Sequence, residues 1–175
     1  MSHFVIIDRL ADIILRSAKG SVVEIGMGGS SHIMAKHANQ AKVPYFSCDI
    51  SPKFRGDMDK GHIHFPGKSE DFIKQFSGTP PALVLLDGCH EYEVVKMEFD
   101  FFLPKLVPGG VIFLHDTLPP KPQFVALNRC GTVYKLRHEI EERKDIEVFT
   151  WPYTAMNCGL TMVQKKPVCC VDGEK

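Results

Sequence analysis

The sequence predicts an α/β fold built on a doubly wound, mostly parallel sheet. Three observations lead there. A β-branched strand, Val22-Val23-Glu24-Ile25, runs straight into three glycines and then a helical pattern at Ile33, Met34 and His37. The continuous apolar run Ala82-Leu83-Val84-Leu85-Leu86 has the composition of a central strand covered on both faces. Five strand patterns alternate with helical ones along the chain, the order that winds helices around a parallel sheet.

The bulk numbers fit one such domain, spanning 1–175. A chain of 175 residues with 44% hydrophobic residues can bury a real core. Its 21 basic and 21 acidic residues cancel, so no charge imbalance points to nucleic acid or an anionic membrane. No apolar run is long enough to span a bilayer. Asp8, Arg9 and Asp12 interrupt the first apolar stretch, which a signal peptide would keep uncharged. The six cysteines, Cys48, Cys89, Cys130, Cys158, Cys169 and Cys170, include no C-x-x-C pair and read as reduced thiols of a cytoplasmic protein.

In chain order, Ile6, Ile7, Leu10, Ile13 and Ile14 make an amphipathic helix over 4–18, within an N-terminal segment 1–20 that precedes the first strand. The strand at 21–25 follows, then its glycine turn and a helix over 31–38. The next strand, 43–48, ends on Asp49. An acid at the end of the strand after a glycine turn can accept hydrogen bonds from a ribose diol. Residues 54–61 are polar and read as a surface connection. A short strand at 62–65 leads to a helix over 70–76, with Ser69 as its N-cap. The central strand 82–86 ends in Asp87-Gly88-Cys89-His90-Glu91-Tyr92, and ligands of open α/β sheets sit beyond such strand ends. A helix over 94–106 and the turn Val107-Pro108-Gly109-Gly110 precede a fifth strand, 111–114, that ends in His115-Asp116-Thr117. A long helix over 124–143, irregular near Cys130-Gly131, is followed by strands at 146–150 and 159–164. These last two read as an antiparallel pair closing the sheet. Residues 166–175 read as a frayed polar tail.

A strand that turns through glycine into a helix brings backbone N–H groups and the positive helix end to a ligand. Dinucleotide folds use G-x-G-x-x-G, and Ser31 stands where the third glycine would be. Glu24-x-Gly26-x-Gly28-Gly29 instead resembles the first motif of class I S-adenosylmethionine-dependent methyltransferases. The stretch Leu86-Asp87-Gly88-x-His90-x-Tyr92-Glu93, the Pro108-Gly109-Gly110 turn and His115-Asp116-Thr117 narrow the likeness. They resemble the small bacterial sugar and secondary-metabolite O-methyltransferases and, more distantly, catechol O-methyltransferase. The resemblance runs over about 20–165 of the sequence and implies a Rossmann-like, seven-stranded sheet with the last strand antiparallel and helices on both faces.

The resemblance also assigns residues. It implies that S-adenosyl-L-methionine is held by Glu24, Gly26, Met27, Gly28, Ser30, Asp49, Ile50, Ser69 and Asp87. It implies a divalent ion, Mg²⁺ or Mn²⁺, at Asp87 and Asp116 with His115 beside them, although Mg²⁺ prefers oxygen ligands. His90 would be the base that deprotonates the acceptor hydroxyl, a task suited to a group titrating near neutrality, with Asp87 as its catalytic companion. The expected activity is methylation of a hydroxyl on a small-molecule acceptor. A rival expectation is a non-catalytic cofactor-binding module, because a single helix before Val22 is little material to close over an acceptor. A nicotinamide oxidoreductase is weaker, lacking the third glycine. Apolar Trp151, Tyr153 and Met156 suggest a surface for a homodimer.

Overall fold

In a computed structural model of the protein, residues 3–51, 61–152 and 158–166 are described. Residues 54–60, Tyr153, Met156, Cys169 and Cys170 lie outside that set. The strand patterns settle into one seven-stranded sheet. Its strands are β1 (Ser21–Ile25), β2 (Tyr45–Asp49), β3 (His62–Pro66), β4 (Pro81–Leu86), β5 (Val111–His115), β6 (Ile146–Trp151) and β7 (Leu160–Lys165). The spatial order is β3-β2-β1-β4-β5-β7-β6. All neighbouring pairs are parallel except those involving β7, which runs antiparallel to both β5 and β6.

Alternation along each strand separates two cores. Val23, Ile25, Val84, Leu86, Ile112 and Leu114 face α3 (Ser69–Gln75), α4 (Tyr92–Phe102) and α5 (Val133–Glu141). Val22, Tyr45, Leu83, Leu85, Val111 and Phe113 face α1 (His3–Ser17) and α2 (Ser31–Ala41). A strand buried on both faces must be apolar at every position, and all six residues of β4 are buried. The single charge within β1, Glu24, is also fully buried.

Register positions the functional end. Ile25 pairs with Cys48 on one side and with Leu86 on the other, and Leu86 pairs with Leu114. Four strands therefore stop at the same level, and the segments after them emerge side by side. The chain winds one way from β1 through β2 to β3 and the other way through β4 and β5, so β1 and β4 flank the switch point where such sheets bind ligands.

Three expectations change. Ser69 is the first residue of α3, and Lys68 occupies the cap position with no side-chain cap hydrogen bond. The helix after β4 ends at Phe102, and Leu103–Lys105 tightens into a 3-10 turn, because Pro104 cannot continue the α-helical bonding. The long helix expected over 124–143 is a 3-10 turn, Pro122–Phe124, a run of turns, and α5 from Val133. The break falls at Gly131, whose φ is 54° and where a Cβ would collide with the carbonyl of His90. The thiols differ too: Cys130 and Cys158 are joined as a disulfide, with Cα atoms 6.4 Å apart. Cys48 and Cys89 are free.

Candidate active site

The glycine turn after β1 is built around two backbone requirements. Gly26 has φ 86°, and a Cβ there would collide with the carbonyl of Asp87 at the end of β4. Gly28 differs, since a Cβ on it would meet nothing within 4 Å. The turn thus presents an open backbone face at Gly28 while Gly26 locks it against the neighbouring strand end. Gly28 N–H donates to Ser31 Oγ at 3.0 Å, and Met27 N–H donates to Asp49 Oδ2 at 2.8 Å. The other Asp49 oxygen accepts Ser51 N–H at 2.6 Å, so one carboxylate ties the turn after β1 to the turn after β2. Ile50, beside it, is an apolar side chain that is 76% exposed.

Glu24 works from beneath. Ser30 Oγ donates to its Oε1 at 2.5 Å and Tyr45 OH donates to its Oε2. Burial raises its carboxyl to about 7, against the pull of those two hydroxyls. Glu24 and Ser30, expected at the cofactor, are thus bonded to each other below the turn, bracing its shape. Ser69 is buried at the start of α3.

The second half of the site lies beyond β4 and β5. One donor atom each from Asp87, His90 and Asp116 falls within 4.8 Å of the other two. His90 Nε2 is 3.4 Å from Asp116 Oδ2. His115 Nδ1 is 3.1 Å from Asp87 Oδ1 and 3.3 Å from Asp116 Oδ1, charge contacts that lack hydrogen-bond alignment. Burial disfavours the charged ring, but the two carboxylates outweigh it and raise His115 to about 10. Asp116 is half-buried, which works against its charge, yet His115 holds its carboxyl below the usual range. One donor set that could hold a cation among the described residues is Asp87, His90 and Asp116. His115, expected as a ligand, stands against both acids of that set. Two carboxylates and an imidazole converging on one point suit a divalent ion with mixed oxygen and nitrogen preference, such as Mn²⁺. Asp116 adopts φ 57°, the left-handed region, where a non-glycine residue persists only if its surroundings fix it. Several bonds do so: Thr117 N–H donates to Gly159 O at 3.4 Å, Leu118 N–H donates to Cys158 O at 2.6 Å, and Arg137 Nε donates to Thr117 O at 3.0 Å.

Two residues of this region escape a reading by motif. The first turn of α1 carries His3 and Phe4 onto His115. The His3 ring meets His115 edge-on with centroids 5.6 Å apart, and Phe4 stacks on it at 6.2 Å. His3 is fully buried, with its Nδ1 unpartnered among the described residues and its Nε2 3.3 Å from Pro152 O. The helical periodicity of α1 gave the only signal, since a buried face that includes position 7 includes position 3 as well.

The comparisons agree with this architecture. A family model described as a methyltransferase domain matches residues 23–117. No curated protein sequence matches the chain. Among solved structures, cofactor-bound Rv0187 from MTB superposes with a TM-score of 0.73 at 16% identity, over 92% of this chain and 78% of that one. Human methyltransferase-like protein 13, solved with SAH, gives 0.66 at 14% identity, over 99% and 86%. The MycE methyltransferase of mycinamycin biosynthesis, solved with Mg, SAH and mycinamycin VI, gives 0.64 at 21% identity. The match covers 92% of this chain but 48% of MycE, so this chain spans about half of that protein's length. At such identities the likeness is one of fold.

Proposed function

The chain belongs to the methyltransferase-domain family, whose model covers residues 23–117, and from that premise we propose that it is an S-adenosylmethionine-dependent O-methyltransferase acting on a small hydroxylated molecule. The observation that carries the reading is the alignment of four strand ends. It sets an open glycine turn, pinned by Asp49, beside the Asp87–His90–Asp116 trio. The open face at Gly28 fits a cofactor that must lie against backbone, and Ile50 offers an apolar face for its flat base.

S-adenosylmethionine supplies an electrophilic methyl group on a sulfonium, and a divalent ion would supply positive charge for acceptor oxygens. The chain's own residues do the rest. Gly26 and Gly28 shape the turn that receives the cofactor, and Asp49 holds that turn while keeping lone pairs free for the ribose hydroxyls. Asp87 and Asp116 are the residues that would hold the ion, and His90 stands beside them on the acceptor side. His90 takes the hydroxyl proton on its imidazole as the methyl transfers. Asp116 Oδ2 lies 3.4 Å from His90 Nε2, beside the ring that takes the proton. His115 neutralises part of the acidic charge, so the two carboxylates can stay close together. Phe4 and His3 wall the same region from α1 and help keep water out, which in-line displacement requires.

The test is calorimetric titration with S-adenosylmethionine and S-adenosylhomocysteine, with and without Mg²⁺ or Mn²⁺. Micromolar binding of both is expected, with Mn²⁺ binding lost in Asp116→Asn. No binding of either compound under any condition would sink the proposal. Binding without transfer to any hydroxylated acceptor would favour a non-catalytic module on the same fold. The MycE complexes carry Mg and SAH together, which supports trying the metal and the cofactor in one experiment.

A further inference from the structure

The disulfide has no part in the chemistry above, yet both its ends grip acceptor-side residues. Cys130 is 1% exposed and precedes Gly131 and Thr132. Thr132 N–H donates to His90 O at 2.7 Å, and Thr132 Oγ1 accepts Tyr92 N–H at 2.7 Å. Gly131 packs so closely on the His90 backbone that a side chain there would collide with it. The segment after Cys130 therefore fixes where His90 starts. At the other end, Cys158 O accepts Leu118 N–H at 2.6 Å, two residues past Asp116. Gly159 O accepts Thr117 N–H at 3.4 Å. The Cys158 segment therefore fixes the left-handed turn of Asp116. The two sulfurs and an Asp116 oxygen all lie within 4.8 Å of one another.

We propose that Cys130 and Cys158 form a site of thiol–disulfide exchange with small thiols, and that its oxidation state sets the alignment of His90 with Asp116. The functional consequence rests on the acceptor-side role of those two residues, whereas the exchange itself does not. Cys158 is half-buried and Cys130 is enclosed, so an incoming thiolate reaches the Cys158 sulfur. Its sulfur bonds to Cys158 Sγ as the Cys130–Cys158 bond breaks, and Cys130 leaves as a thiolate that takes up a proton. A second small thiol then attacks the mixed disulfide at the small-molecule sulfur. Cys158 is released as a thiol and the two small thiols depart joined, so one disulfide and two thiols give two protein thiols and one small disulfide. The bridge closes across 28 positions of sequence that include α5 and β6, so opening it frees the two grips from each other.

The test uses the full chain equilibrated either with an oxidised glutathione buffer or with dithiothreitol. Alkylation followed by peptide mapping reads the thiols, and amide hydrogen exchange reads the grips. Under oxidising glutathione, Cys130 and Cys158 should resist alkylation together while Cys89 is labelled. Reduction should speed exchange by about tenfold in peptides holding Thr132 and Leu118, and leave those of β1 unchanged. A Cys130→Ser/Cys158→Ser variant should show the reduced pattern in both buffers, and Cys158→Ala serves if the double variant does not fold. Alkylation of both cysteines under oxidising conditions, or equal exchange in the two buffers, would overturn the proposal. S-adenosylhomocysteine binding is measured alongside and should be equal in both states. Its absence in both would remove the methyltransferase reading while leaving the exchange site standing.

Discussion

At the scale of single residues, the two glycines of the turn separate fold from binding. Gly28→Val adds bulk into open space, so thermal stability should hold while S-adenosylhomocysteine binding disappears from calorimetry. Gly26→Ala asks an L-residue to adopt φ 86° against the Asp87 carbonyl, at a cost of at least about 1–2 kcal/mol before any clash. Its melting temperature should fall. A Gly26 variant as stable as the parent would mean that the β1 and β4 ends are not locked as described. His90→Ala should leave cofactor affinity unchanged and slow transfer by about 10²–10⁴-fold, the range for a positioned base. Full transfer activity in that variant would assign the proton to another group. Glycines at a strand end and an acid at the next strand end are local signals, so the turn and Asp49 could be picked out from the sequence. The contact of His115 with Asp87 across two strands depends on register, which no local pattern records.

Among the elements, α4 holds an unusual charge. Glu98 is fully buried, and neither carboxyl oxygen has a hydrogen-bond partner among the described residues. Burial raises its carboxyl from 4.5 to about 7. The fold thus favours the neutral form, while the unfolded chain ionises near 4.5. Its contribution is whole below that pH and is lost as pH climbs from 4.5 to 7, a drop of about 3 kcal/mol. Glu98→Gln keeps the shape and removes the titration. Its melting temperature should exceed that of the parent at pH 8 and match it near pH 4.5, as read by calorimetric scans across that range. A parent curve that stays flat from pH 5 to 8 would show the carboxyl to be solvated. Helices proved the least legible elements. The pattern at 124–143 has enough apolar positions for one long helix, but the close approach of Gly131 to the His90 backbone and the Cys130–Cys158 bond bend that stretch into turns. Both constraints come from residues remote in sequence.

For the whole molecule, the mostly parallel, doubly wound class of the sheet was legible from the strand–helix alternation, and the closing antiparallel pair from the short loop between the last two strands. The contribution of α1 was not, because nothing local says that its first turn ends on His115. The sheet's integrity hangs on β7, which bonds β5 on one side and β6 on the other. Val163→Pro would remove a ladder donor from this inner strand, and soluble folded protein should be lost altogether. Recovery of a folded monomer by circular dichroism would mean that β6 and β7 are dispensable. This placement also orders events in time. During synthesis β6 leaves the ribosome before β7 does, yet among the described strands it pairs with β7 alone. Until that strand arrives, β5 presents Val111-Ile112-Phe113-Leu114 along a bare edge, a template for pairing with another nascent chain. Of the described strands β7 is made last and seals the sheet, so the β5 edge stays open to other chains until β7 has emerged.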